Sequence, residues 1–334
     1  MQWNNGYSAS YIMHEVDPVT FRDLAPTQIT GGSIKRELTG KRESADIACH
    51  GIDIGIEKWV RVYIDTTQSG AHERTALFTG LASSPASEFD GNSKTNTLAC
   101  YSVLKPCADV ALPVGWYAPR NASGAEMIRR LLSATPAPVI VSDGSPTLSD
   151  HIIAESNETN LSMIDKILTA IDWRIRIEGN GTINVLPKPI EPVASFDPLD
   201  NDMIETRVTV NADWYSCPNV YRATSGDVTG IARDEDPNSP LSIPSRGREV
   251  WLTESNAKLA STESVAQYAQ RKLKAAQAVK QVASYTRRYL PDVLPGDMVR
   301  MRYPKQGVVG LYSVRSQTIT LGYGASTDEE ITEV

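Results

Sequence analysis

Few residue groupings in this sequence could carry chemistry, and each falls short of a catalytic template. Ser102-Val103-Leu104-Lys105 has the S-x-x-K spacing of acyl-transferring serine enzymes, in which the serine opens a helix so that the lysine can reach it. Here the four residues end an apolar alternation and meet Pro106, so a strand stopped by the proline is expected, and neither S-D-N nor K-T-G accompanies them. Gly179-Asn180-Gly181 and Gly322-Tyr323-Gly324 begin like a dinucleotide fingerprint without its third glycine, and there is no P-loop or G-x-S-x-G. Asp234-Glu235-Asp236 is the densest carboxylate run. Carboxylates can hold calcium or act as an acid–base pair on glycosides, but EF-hand spacing is absent and adjacent strand residues face opposite ways, so a solvated loop tip is expected.

His14, His50, His72 and His151 stand apart, and Cys49-His50 has no second pair at zinc spacing. Cys49, Cys100, Cys107 and Cys217 are scattered and suit reduced, buried small apolar residues. No catalytic residue, metal or cofactor is assigned. Arg287, Arg288, Arg300 and Arg302 are the remaining candidates. They lie on two C-terminal strands that, if paired, would make a basic stripe for a phosphate or an acidic partner, or else cover an exposed sheet face.

The elements holding these residues belong to an ordinary folded chain. At roughly 150 residues per domain, 334 residues imply two or three units. Hydrophobic residues at 41%, charged residues at 22%, 22 Gly and 20 Pro exclude wholesale disorder and collagen-like repeats. With 33 basic against 40 acidic residues the net charge is −7, and no run of like charges suggests a nucleic-acid tail or polybasic anchor. Apolar stretches such as Ala137 to Val141 are far below the roughly 20 residues of a membrane-spanning helix, and MQWNNGYSAS has neither a basic nor an apolar leader region. A soluble protein without a secretion signal or membrane anchor is expected.

From Tyr7 to about Leu104 the texture is short strands and turns: Tyr7, Ala9, Tyr11 and Met13 alternate, Ala45 to Ile52 is apolar, and in WVRVYI Val60 and Val62 face opposite to Arg61. Thr66 to His72 reads as a loop and Asp90-Gly91-Asn92 as a turn, giving six or seven antiparallel strands. Past Pro113, Ser123 and Glu126 have capping-box spacing ahead of Met127, Ile128, Leu131 and Leu132. Leu161, Ile164, Ile167, Leu168 and Ile171 predict a second helix, with Asn157, Thr159 or Asn160 as cap. That helix runs into a hairpin in which Trp173, Ile175 and Ile177 oppose Arg174, Arg176 and Glu178, closed by Gly179-Asn180-Gly181 before Ile183 and Val185. Pro187 to Pro198 reads as an extended linker. Glu205 to Val210 and Asn219 to Ala223 read as strands, and a third helix spans about Thr262 to Lys280 with Val265, Ala269, Leu273 and Ala276 on one face. The end returns to β through SYTRRYL, the turn Pro295-Gly296-Asp297, MVRMRY and GLYSVRSQTITLGYG.

One internal echo stands out: VRVY (Val60 to Tyr63) followed by ALFTG resembles VRMRY (Val299 to Tyr303) followed by GLYSV, about 240 residues later. A duplicated β domain flanking a central α/β region would explain it.

The order of these units resembles the baseplate hub proteins of tailed bacteriophages, the family that includes late-control-type hub proteins. The segments carrying the resemblance are Asn160 to Pro189, with Asp172 where the family often has glycine before the tryptophan; Arg233 to Trp251; the helix around Tyr268 to Lys274; and LPGDMVRMRY, Leu294 to Tyr303. The ordering covers nearly the whole chain. The resemblance implies a mainly β fold with α+β parts, in which two similar small β-barrel domains flank, and are interrupted by, α/β insertions and form a trimeric ring. Its domains would be a barrel over 1–112, a helix-plus-hairpin domain over 113–200, a second barrel over 201–223 and 283–334, and an inserted loop and helix over 224–282.

Such a homotrimer has six similar modules and adapts a sixfold tail tube to a threefold spike or fibre around a channel for DNA and the tape measure. The implied partners are further copies of the chain, the tail tube or distal tail protein, the tape-measure protein, the central spike or tail fibre, and phage DNA in transit. The location would be the virion tail tip, reached from the host cytoplasm during assembly. No bond-making step is implied, so self-complementary strand edges are the expected determinants. Arg300 and Arg302, projecting together from one strand between aromatic-rich runs, are expected at such an interface. Two other classes remain open: a tail-associated cell-wall hydrolase using Asp234 or Asp236, and a carbohydrate-binding adhesin using Trp214, Tyr215 and Trp251.

Overall fold

The alternation in the first third of the chain becomes strand almost throughout. In the computed structural model, which describes residues 2–3, 5–39, 42–50, 57–91, 93–198, 203–211, 214–225, 227–255, 264–277, 281–322 and 325–334, six strands come first. They are β1 (Ser8–Val16), β2 (Asp23–Glu37), β3 (Glu43–His50), β4 (Lys58–Gln68), β5 (Ala71–Asp90) and β6 (Ser93–Ser102). Their spatial order is β1-β4-β5-β6-β3-β2, and β2 pairs back onto β1, so every strand has two neighbours. Val60, Val62 and Ile64 point inward with Leu77, Ile34, Ile47 and Leu98, as a period of two requires.

Two local expectations change. Arg61 is buried as well: Nη1 donates to Asp23 Oδ1 at 2.7 Å and Nε to Thr79 Oγ1 at 2.9 Å, with Phe21 stacked 5.3 Å from the guanidinium. Its face is covered because Phe21 and Trp59 pack against the core of the next region. The expected loop over Thr66 to His72 shrinks to Ser69-Gly70. Both residues have positive φ, 50° and 84°, which suits the twist of a two-residue hairpin turn.

The middle region comprises α1 (Lys105–Asp109), β7 (Tyr117–Ala118), α2 (Gly124–Leu131), β8 (Val139–Val141), β9 (Ile152–Ile153), α3 (Asn160–Ile171), β10 (Trp173–Ile177) and β11 (Ile183–Pro187). Pro106 opens α1 instead of merely stopping a strand, because the first helical turn has no use for the N–H that proline lacks. Ser123 caps α2 through Glu126 N, which is half of the expected capping box, while Thr159 and Ser162 make the complete box on α3. Asp172 ends α3 in the left-handed conformation, φ 56°, the conformation a glycine would favour there. Ile164, Ile167, Leu168, Trp173, Ile175 and Val185 join α3 and the hairpin into one core.

The remaining elements are β12 (Pro192–Phe196), β13 (Ile204–Asn211), β14 (Val220–Ser225), β15 (Val228–Arg233), α4 (Ile243–Arg246), β16 (Trp251–Glu254), α5 (Val265–Ala276), β17 (Val282–Arg287), β18 (Met298–Tyr303), β19 (Val308–Thr320) and β20 (Thr327–Glu333). The chain divides into two compact units, one of Met1–Thr209 with Ala283–Val334 and one of Val210–Val282. Within the first, the ladder runs β12-β18-β19-β20-β17-β13. Numbered along the chain, both six-strand sets have the order 1-4-5-6-3-2. The supposed linker Pro187 to Pro198 is thus largely strand: β12 pairs in parallel with β18, and an edge strand tolerates Pro192 because one row of its backbone groups needs no partner.

In the second unit, β15-β14-β16 form a sheet packed on α5. β14, grouped by the sequence with the C-terminal strands, pairs with β15 and β16 instead. The helix expected over Thr262 to Lys280 is described as α5 alone, since residues 256–263 and 278–280 lie outside the described residues, as do Tyr323 and Gly324.

β2 serves both six-strand sets. Residues Gln28 to Asp23 pair with β1, whereas Ser33 to Glu37 pair with Thr320 to Ser316 of β19. At the changeover the register shifts between Ile29 and Gly31, and Gly32 has φ 138° with the position of a Cβ only 2.1 Å from Asp46 O. No side chain fits there without moving β3.

Candidate assembly interface

The C-terminal arginines separate into different environments. β17 and β18 are not neighbours, so the four do not form one stripe. Ala283, Tyr285 and Arg287 of β17 point inward, and Arg287 donates to Glu329 Oε2 from Nη2 at 2.6 Å and from Nε at 3.1 Å. Tyr285 OH and Gln317 Nε2 complete the same carboxylate at 2.5 and 2.6 Å. Burial beside this carboxylate drives the Tyr285 phenol far above its ordinary value. Arg287 is therefore a core residue. Arg288 lies just past the strand, its N–H donating to Met203 O at 2.9 Å.

Arg300 and Arg302 do project together. On β18 they face outward while Val299, Met301 and Tyr303 enter the core. Arg300 stands opposite Ser195 of β12 and Leu311 of β19, and Arg302 opposite Val309, which is 56% exposed. Arg302 Nη1 is 3.9 Å from Asp197 Oδ2. The result is an outward patch of guanidinium and apolar side chains beside β12, whose only ladder neighbour among the described residues is β18. Unpaired backbone donors next to branched apolar side chains suit another chain far better than a small molecule.

A second buried carboxylate is less well served. Arg36 Nε lies 3.2 Å from Glu43 Oε1, both groups being buried, but Glu43 Oε2 and Arg36 Nη1 have no hydrogen-bond partner among the described residues. Burial pushes the Glu43 carboxyl up to about 8 despite Arg36.

Sequence reasoning missed the clamp at Asp297, which it read only as part of a turn. This buried carboxylate receives Arg174 Nη2 and Arg176 Nη1, each at 2.6 Å, and Leu294 N at 2.9 Å, tying the β10-β11 hairpin to the C-terminal segment. The available signal was the pair of arginines at i, i+2 on a strand whose other face is wholly apolar.

The other chemistry-bearing residues are absorbed locally. Asp234 Oδ2 accepts from Ser239 Oγ at 2.7 Å and Gln277 Nε2 at 2.8 Å, while Asp236 Oδ1 accepts from Asn238 N at 2.9 Å, so these carboxylates shape their loop. Lys105 pairs with Asp109. Burial raises the Cys100 and Cys107 thiols to about 12 and 11, which keeps them protonated and unreactive. Among the described residues no three or more His, Cys, Asp or Glu side chains gather as a metal site, and no helix is long and apolar enough to cross a membrane.

No protein-family model matches the chain. No curated protein matches it in sequence. Solved structures match it in fold, and that fold is the one of phage and prophage tail proteins. A tail protein from Neisseria meningitidis MC58 matches with a TM-score of 0.68 at 18% identity, over 98% of this chain and 97% of that one. The 43 kDa tail protein of prophage MuSo2 from Shewanella oneidensis gives 0.67 at 12% identity, over 97% and 98%. Prophage tail protein gp18 from Listeria monocytogenes EGD-e gives 0.50 at 12% identity, over 97% and 94%.

Proposed function

We propose that this chain is a structural protein of a phage-type tail and, within it, the baseplate hub. Three copies close into a ring whose six similar modules face a sixfold tube on one side and a threefold spike or fibre on the other. The observation that carries this reading is the end-to-end likeness to tail proteins combined with the same 1-4-5-6-3-2 strand order in both six-strand sets. Each set supplies one barrel-like module, with the helix-and-hairpin region and the Val210–Val282 unit as decorations. The chain works by shape and symmetry, without catalysis.

The tail tube, tape measure and spike are its partners, DNA passes through its lumen, and the tail tip is its place. An overall charge of −7 suits a channel that must release DNA. Subunits meet at the Arg300 and Arg302 face, where β12 has no second ladder neighbour among the described residues. Light scattering over a concentration series is the test. A ring gives about 110 kDa, three times the 36.5 kDa chain, and a central hole in micrographs. Arg300→Glu with Arg302→Glu is expected to return the mass to that of one chain while leaving the circular dichroism spectrum unchanged. A protein that stays at 36.5 kDa both alone and with tail-tube protein is not this hub.

A further inference from the structure

Among the described residues, the sheet of the Val210–Val282 unit is covered by a helix on one face only. Tyr221, Ala223 and Ala232 pack on Tyr268, Ala269 and Leu273 of α5, whereas Arg222, Ile231 and Trp251 turn away. Trp251 remains 43% exposed, with the guanidinium groups of Arg222 and Arg233 at 5.9 and 5.4 Å from its ring. Glu249 accepts the indole N–H at 2.8 Å and also pairs with Arg233. Three residues before Trp251, Arg248 stacks at 4.3 Å on Tyr215, which is 78% exposed.

The charge balance of this unit departs from that of the whole chain. Arg222 and Arg248 have no carboxylate partner among the described residues. Residues 210–282 hold nine Lys and Arg against eight Asp and Glu in a chain of net charge −7. Arg248 Nη2 donates to Tyr215 O at 2.8 Å, which leaves its other N–H groups, and those of Arg222 beside Trp251, to meet a carboxylate. Tryptophan, tyrosine and arginine are also the residues that dominate protein-binding hot spots, while an exposed branched side chain such as Ile231 offers nothing to a sugar or a phosphate.

We infer that the open face of the β15-β14-β16 sheet, together with the Arg248–Tyr215 stack that precedes β16, is a docking surface for a polypeptide segment that carries carboxylates among apolar residues. Arg222 and Arg248 take the carboxylates, and Trp251, Tyr215 and Ile231 take the apolar side chains. The inference does not depend on ring formation, which is read separately from the mass.

The test is a displayed library of random 16-residue peptides, panned on the full chain and counter-selected on Arg222→Glu with Arg248→Glu. Peptides retained by the wild type are expected to combine Asp or Glu with aromatic or branched residues. They should bind the double variant at least tenfold more weakly, while Lys305→Glu leaves binding unchanged. Arg222→Lys, which keeps the charge but not the planar stack, is expected to bind less well than wild type and better than the double variant. Equal thermal melting of all forms separates lost binding from lost folding. Peptides that bind both forms equally, peptides without acidic residues, no enrichment at all, or a preference for a dT16 oligonucleotide or sialyllactose over the selected peptides would each overturn the inference.

Discussion

The two six-strand sets follow one strand order and close differently. In the first, β1 runs antiparallel to both β4 and β2, and the ladder returns on itself within Ser8–Ser102. In the second, β12 runs parallel to β18, and neither β12 nor β13 has a second ladder neighbour among the described residues. Between β13 and β17 the chain leaves to build the Val210–Val282 unit. The closed ladder offers only the Ser33–Glu37 stretch of β2, which β19 takes; the open one keeps two edges among the described residues. The same plan can therefore give one module that is complete in itself and one that is suited to being completed by something else. The interiors differ too, since Glu329 is fully hydrogen-bonded and Glu43 is not.

The strongest way to break this comparison is to remove a carboxylate from each interior. Glu329→Ala leaves Arg287 buried and unpaired and is expected to cost about 3–5 kcal/mol in urea unfolding. Glu43→Gln, at a site already lacking a partner for one oxygen, is expected to cost under about 1 kcal/mol at pH 7. Equal losses would mean that the two interiors do not differ as described. Next comes the joint between the sets: Gly32→Ala forces a Cβ into Asp46 O and is expected to cost about 3 kcal/mol, read as a lowered melting temperature.

A pH effect follows in size. The Glu43 carboxyl is raised from an unfolded value of 4.5 to about 8, so the folded chain holds its proton more tightly. That stabilisation is fully present below about pH 4.5 and disappears as the pH rises through about 8. Urea midpoints should fall more between pH 6 and 9 for wild type than for Glu43→Gln, and parallel curves would assign the slope to another group. Smallest is Ser69→Asn in the β4-β5 turn. A residue that accepts positive φ more readily is expected to add a few tenths of a kcal/mol, measurable in chemical denaturation.

What was legible in the sequence was local. The helix from Asn160 to Ile171 and the β10-β11 hairpin could be read because spacing, caps and turn residues all agree. The VRVY and VRMRY echo pointed to β4 and β18, which hold the same place in the two ladders. Less was legible where tertiary pairing overrules pattern. β20 reads as TDEEITE, too acidic for an evident strand, because Glu329 faces inward to meet Arg287. β12 is rich in the signals of a linker, and only its parallel partner some hundred residues later makes it a strand. Alternation set Arg61 and Arg174 opposite the apolar side of their strands, but not their burial, because their partners Phe21 and Asp297 come from elsewhere in the chain. Of the candidate site, the joint outward projection of Arg300 and Arg302 was readable from alternation, but the inward turn of Arg287 was not.

The shared strand β2 also sets a timetable. Ser33 to Glu37 cannot find their partners on β19 until about 280 further residues have left the ribosome, roughly 15–60 s at 5–20 residues per second. The first six strands can close in that interval, leaving this half-edge waiting. Its sequence is S-I-K-R-E, with Lys35 and Glu37 exposed as an ion pair at 2.7 Å, the kind of charged rim that discourages a nascent edge from recruiting a stranger. The same residues that join the two sets in the finished molecule would thus act earlier as a guard on an unfinished one.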